Sequence, residues 1–120
     1  MFGYNLGATI LVMDMRIKIP FDKIVKAISV REPTIFVCDK AYIISVPSEY
    51  KATIYGDKGK ERIEFLVAIT TPNTCVYVCS EKDLEGKAIH FERDKNIIGF
   101  RFKNGKPIQF LRGTKQSLRQ

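Results

Sequence analysis

The chain reads as mainly β, an α+β protein built as an antiparallel sandwich or small barrel with one short helix packed on the sheet. Three observations predict this. Short runs with strand-type alternation recur about every ten residues, with turn residues between them, which is the spacing of antiparallel β proteins. Only one stretch, PFDKIVKAIS, carries an apolar repeat of helical period. Helices do not alternate with the strands, so the parallel βαβ folds are excluded.

The elements follow in order. ATILVMDMRIKI alternates, with Leu11, Met13, Met15, Ile17 and Ile19 on one side and Asp14, Arg16 and Lys18 on the other, so a long first strand is expected over residues 8–19. In the next stretch Phe21, Ile24, Val25 and Ile28 recur at i, i+3, i+4 and i+7, one stripe that a helix would dock on the sheet. Pro20 suits its start, Asp22 its first-turn dipole, and Pro33 prevents continuation. TIFVC and AYIISV flank Asp39-Lys40 as a hairpin. KATIY and ERIEFLVAIT flank the charged turn GDKGK, and TCVYVC follows TPN. EKDLEG reads as a turn or a single helical turn, and KAIHFE, NIIGFRF and PIQFL complete the set. For the closing hairpin, a two-residue Asn104-Gly105 turn would place Arg101 and Ile108 on one face. An odd-length loop of three or five residues instead puts Phe100, Phe102, Ile108 and Phe110 together, opposite Arg101, Lys103 and Gln109. Because a one-residue slip flips every side chain, that register is expected.

A chain of 120 residues has the size of one domain. The expected organisation is a β-rich domain over residues 1–111 and a basic flexible tail over 112–120. The balance of 45% hydrophobic and 28% charged residues excludes disordered and collagen-like classes. Only seven residues are Asn or Gln, and Ile, Lys and Glu are abundant, which leans toward a thermophilic origin. The opening MFGYNLGATILVMD has no Lys or Arg before Arg16, and its uncharged run stops at Asp14. It fits neither a secretory signal nor a membrane span of about 20 residues, so a cytoplasmic chain is expected. ATILVM is apolar on both faces, which also makes it a candidate for pairing with a second copy of the chain.

The charge is segregated. Residues 1–94 hold 13 Lys/Arg and 13 Asp/Glu and are neutral, whereas residues 95–120 hold seven basic residues and no acid, the whole net charge of +7. Arg101, Lys103, Lys106, Arg112, Lys115 and Arg119 are therefore the candidate binding residues for a polyanion. Arg101 and Lys103 would stand about 7 Å apart on one strand, close to the step between phosphates of one nucleic-acid strand. The leading expectation is a small non-enzymatic protein binding DNA or RNA with little sequence preference. The second is an assembly protein, viral or part of a large particle, whose basic end docks on an acidic protein surface. The third is a metal-dependent nuclease.

Other candidate chemistry is weaker. Gly99-Phe100-Arg101-Phe102 resembles part of the aromatic motif of RNA-recognition domains. Ile98 and Arg101 depart from that motif and no helix follows it, so Phe100 and Phe102 read as core. Cys38, Cys75, Cys79 and His90 number enough for a zinc site, yet Cys75 and Cys79 share a strand whose four-residue rise of about 13 Å is too long for a bridge or a shared clamp. No metal or cofactor is expected, and a bridge from Cys38 to one of the other two cysteines stays open. A single His without a nucleophile motif gives no catalytic triad. Asp39 with Glu49-Tyr50-Lys51, and Asp83 with Glu85-Gly86-Lys87, resemble the Asp…Glu-x-Lys pattern of restriction-type nucleases and supply the third expectation.

Overall fold

The computed structural model of the chain describes residues 17–114, and the N-terminal pairing candidate lies outside them. Helix α1 spans Phe21–Ser29. The strands are β1 (Thr34–Cys38), β2 (Ala41–Pro47), β3 (Lys51–Gly56), β4 (Gly59–Glu61), β5 (Val67–Thr70) and β6 (Thr74–Ser80). A single helical turn α2 (Glu81–Leu84) precedes β7 (Ala88–Arg93), β8 (Asn96–Lys103) and β9 (Lys106–Thr114). Sheet 1 has the order β1-β2-β6-β5 and sheet 2 the order β4-β3-β7-β8-β9, every neighbour antiparallel. The fold is a two-sheet sandwich with a helix on it, the first of the expected architectures.

Sheet 1 is the middle layer. All seven residues of β2 are buried, and they divide by alternation. Ala41 and Ile43 join Val67, Ile69, Val76 and Val78 beneath α1, where Ile24 and Ala27 are fully buried. Tyr42, Ile44 and Val46 point the other way, against Ile54, Ile89, Phe91 and Phe102 of sheet 2. Ser45, on the helix side, donates its hydroxyl to the Ala27 carbonyl. That carbonyl belongs to the last helical turn and has no intrahelical donor.

Several expectations change. Residues 17–20 form no strand, although Ile17 and Ile19 are buried as their alternation implied. The helix turns its stripe so that Ile24, Ala27 and Ile28 face the sheet, leaving Phe21 and Val25 46% and 45% exposed. ERIEFLVAIT is two strands: β4 ends at Glu61 in sheet 2, and the chain crosses to enter sheet 1 at Val67. β9 continues to Thr114, so Arg112 is paired in the ladder rather than trailing behind it.

The closing hairpin departs most from expectation. Its turn is the two-residue Asn104-Gly105, with φ of 55° and 73°, the paired positive values of a type I′ turn that Asn-Gly favours. Phe102 therefore opposes Pro107, and Arg101 opposes Ile108. The hydrophobic pattern is accommodated further along. Phe100 pairs with Gln109 and Gly99 with Leu111, so Phe110 is the extra residue of a β-bulge. Pro107, without an N–H, is tolerated because β9 is an edge strand.

Among the described residues one buried side-chain polar atom has no partner: the Tyr42 hydroxyl, between the sheets, where its ring meets Phe102 edge-on at 4.8 Å. Burial raises its pKa, with Glu81 and Glu85 adding to the shift. A buried unsatisfied hydroxyl costs about 1–3 kcal/mol. Tyr42→Phe keeps the ring and removes that cost, so it should stabilise the fold by about 1 kcal/mol in urea unfolding. A lower midpoint with an unchanged m-value would contradict the assignment.

Candidate functional site

Alternation along the strands decides what sheet 2 shows on its outer face. Ile54, Ile89, Phe91, Ile98 and Phe102 point inward. Their strand neighbours therefore point outward, and the ladders set them in rows. One row runs Lys60, Tyr55, Ala88, Arg101, Ile108. The next runs Thr53, His90, Gly99, Leu111. Lys51 with Glu92 lies beyond one end, and Lys103 with Lys106 beyond the other.

Three rings and a guanidinium cross these rows. Tyr55 and His90 have centroids 4.6 Å apart, and His90 and Phe110 5.7 Å, each pair tilted by 50°. The Arg101 guanidinium carbon lies 4.5 Å from the Phe110 centroid, within cation–π range. Gly99 makes room for this. A Cβ there would stand 2.9 Å from the Leu111 Cβ and 3.0 and 3.1 Å from two Phe110 ring carbons. Only glycine lets the bulged Phe110 lie against β8.

The face is cationic. Lys51, Lys60, Arg101, Lys103 and Lys106 are exposed on it, and Glu92 is the acid among them. Lys103 stands directly opposite Lys106 across the ladder, an arrangement that costs stability. Among the described residues ion pairs join Lys87 to Glu61 at 2.7 Å and Arg93 to Glu49 at 3.2 Å, neither involving Arg101, Lys103 or Lys106. Glu85 reaches the hairpin, but its carboxylate accepts from the Asn104 and Gly105 backbone N–H groups at 2.9 and 3.5 Å.

Of the six residues predicted to bind, three come together: Arg101, Lys103 and Lys106. Arg112 pairs with the inward-facing Ile98 and lines a cleft of about 280 Å³ with Glu32, Tyr50 and Arg93, on the other side of the sheet. Lys115 and Arg119 lie outside the described residues. Phe102 is fully buried and Phe100 packs against the inter-sheet core, as read from their pattern. The aromatics on this outer face are the exposed Phe110 and the half-buried His90 and Tyr55, none of them among the six predicted binding residues. Alternation in KATIY and AIHFE already set Tyr55 and His90 opposite the core, but only strand pairing shows that they meet.

The remaining candidates disperse. Cys75 and Cys79 share β6, and all three thiols are free. Burial pushes the Cys79 thiol up to about 12, with Asp83 adding to it, so it is unreactive. Among the described residues no three of His, Cys, Asp and Glu converge as metal ligands. In the carboxylate–lysine patterns, Glu49 is paired with Arg93, Glu85 is held by the hairpin turn, and Lys87 is paired with Glu61. No helix among the described residues is long and apolar enough to cross a membrane. No family model, no curated protein and no solved structure matches the chain.

His90 is the one histidine of the chain, and burial lowers its pKa below the usual 6.5, with Glu92 pulling weakly the other way. The unfolded chain thus binds the proton more readily. The neutral ring's contribution to stability is present above the unfolded value and is lost as pH falls through the folded one. Proton NMR titration of the imidazole should give a midpoint below 6.5, and His90→Gln should flatten the stability slope on the acid side. A midpoint at or above the ordinary value would show that the ring is not held between Tyr55 and Phe110.

Proposed function

We propose that the chain is a small non-enzymatic nucleic-acid-binding protein, cytoplasmic, which uses the outer face of sheet 2 at its C-terminal hairpin. The observation that carries the proposal is the placing of Lys103 directly opposite Lys106, with Arg101 two residues along on the same face and, among the described residues, no ion pair to any of them. Repulsion across a ladder is relieved by an anion lying between the charges. A phosphate backbone supplies anions at about the spacing of alternate strand residues. Such contacts set position and carry no sequence information, so base preference is expected to be slight. Lys115 and Arg119 follow in the sequence and add charge of the same sign. The role is electrostatic and needs no reacting group.

If the five cations of the face each meet a phosphate of a single strand, log K falls against log salt with a slope of about −3.5. A fourfold rise in salt then weakens binding about a hundredfold. Labelled oligonucleotides titrated at two salt concentrations measure this. Arg101→Glu, Lys103→Glu and Lys106→Glu together should abolish binding at moderate salt, while Arg112→Glu, on the other side of the sheet, should cost at most a few-fold. Binding that survives the triple reversal would refute the assignment. Tight salt-sensitive binding to an acidic protein with none to oligonucleotides would replace it with the docking role.

A further inference from the structure

The outer face of sheet 2 carries more than charge, and its aromatic row bears on which nucleic acid it takes. We infer that this face is a stacking platform for the bases of single-stranded nucleic acid. The inference rests on the nucleic-acid reading above and goes beyond it by naming the class of substrate.

Phe110 is 40% exposed and its neighbour Ile108 51%, on the face of sheet 2 turned away from the inter-sheet core. A duplex presents phosphates and groove edges to a flat sheet and keeps its base faces stacked inside. Phosphate binding alone therefore gives no use for rings at the centre of a cationic surface. A single strand presents both, and proteins that bind it combine a cationic track with aromatic side chains under successive bases. Lys60, Arg101, Lys103 and Lys106 surround the line Tyr55–His90–Phe110, which supplies that combination. Arg101 contributes twice. Its guanidinium carbon already sits over the Phe110 ring, and guanidinium planes stack on bases as aromatic rings do. His90, neutral for want of solvation, is a ring rather than a cation at neutral pH.

A second copy of the chain fits this face poorly, because two copies would set the same five cations against each other. An acidic peptide would satisfy the lysines and leave the rings without planar partners. Stacking surfaces of this kind accept every base, since each has a π-face. That agrees with the weak sequence preference already proposed.

The test changes the ligand first. An oligonucleotide of about ten residues and an abasic strand of the same length carry the same phosphates. The abasic strand should bind with the same salt slope and about 5- to 100-fold more weakly, the loss expected for one stacked base. Phe110→Ala should bring the two ligands to nearly equal affinity. Phe110→Trp adds a tryptophan to a chain that has none, and its emission should be quenched by the normal strand and not by the abasic one. Running DNA and RNA strands in parallel identifies which of the two is bound more tightly. Equal affinity for normal and abasic strands, or tighter binding of duplex than of single strand, would overturn the platform while the phosphate reading stood. Loss of binding to every oligonucleotide would overturn both. A Phe110-dependent dimer in light scattering, with no base-dependent quenching, would reassign the face to self-association.

Discussion

The arrangement of this protein depends on β2 being buried on both faces. A strand of seven inaccessible residues needs cover above and below, and it gets α1 on one side and sheet 2 on the other. The helix is nine residues long, too short to persist in water by itself. It is held by Ile24 and Ala27 against sheet 1 and by the Ser45 hydroxyl on a last-turn carbonyl. Among the described residues α1 is the one multi-turn helix, and it is used up on sheet 1. Among the described residues sheet 2 therefore has a single core face, and the outward positions of its five strands carry charge and aromatic rings.

The hairpin between β8 and β9 is where two rules of strand pairing compete. Turn chemistry favours Asn-Gly in a two-residue loop, because both residues accept positive φ. Hydrophobic pattern favours a register that gathers Phe100, Phe102, Ile108 and Phe110. A loop of odd length would satisfy pattern at the turn's expense. The chain keeps the turn and adds one residue to the ladder instead. The consequence is chemical as well as geometric. With the bulge, Phe102 stays in the core and Phe110 goes outward onto Gly99, beneath Arg101. A local insertion resolves the conflict within two residues, without moving the rest of the strand.

What could be read from residue order follows from how local each signal is. The β1–β2 hairpin at Asp39-Lys40 and the strands KATIY, TCVYVC and KAIHFE appear where their alternation placed them. The core role of Phe102 was equally plain. ERIEFLVAIT misled because a chain crossing from one sheet to the other keeps its apolar residues, and period alone does not mark the crossing. The helix misled by rotation: Phe21 and Val25 belong to an apolar stripe, but Ala27 packs closer to sheet 1 and turns them outward. Charge segregation was visible in composition. That Arg112 would face away from Arg101 was not, since it depends on the extra residue between them.

The outer face of sheet 2 also gathers features that do not stabilise an isolated domain. A lysine opposes a lysine, a glycine weakens the middle of β8, a bulge interrupts its pairing, and Ile108 and Phe110 stay in contact with water. Elsewhere the described chain leaves the Tyr42 hydroxyl without a partner and Phe21 and Val25 exposed, while the cysteines are buried or half-buried and two ion pairs join charges of opposite sign. Proteins concentrate such local conflicts where they act, because the cost is recovered when a partner arrives. On the proposed reading a polyanion with exposed planar groups would answer the like charges and the rings together, since its phosphates would separate the cations and its bases would cover the aromatic row, and the glycine and bulge are what place Phe110 on that face.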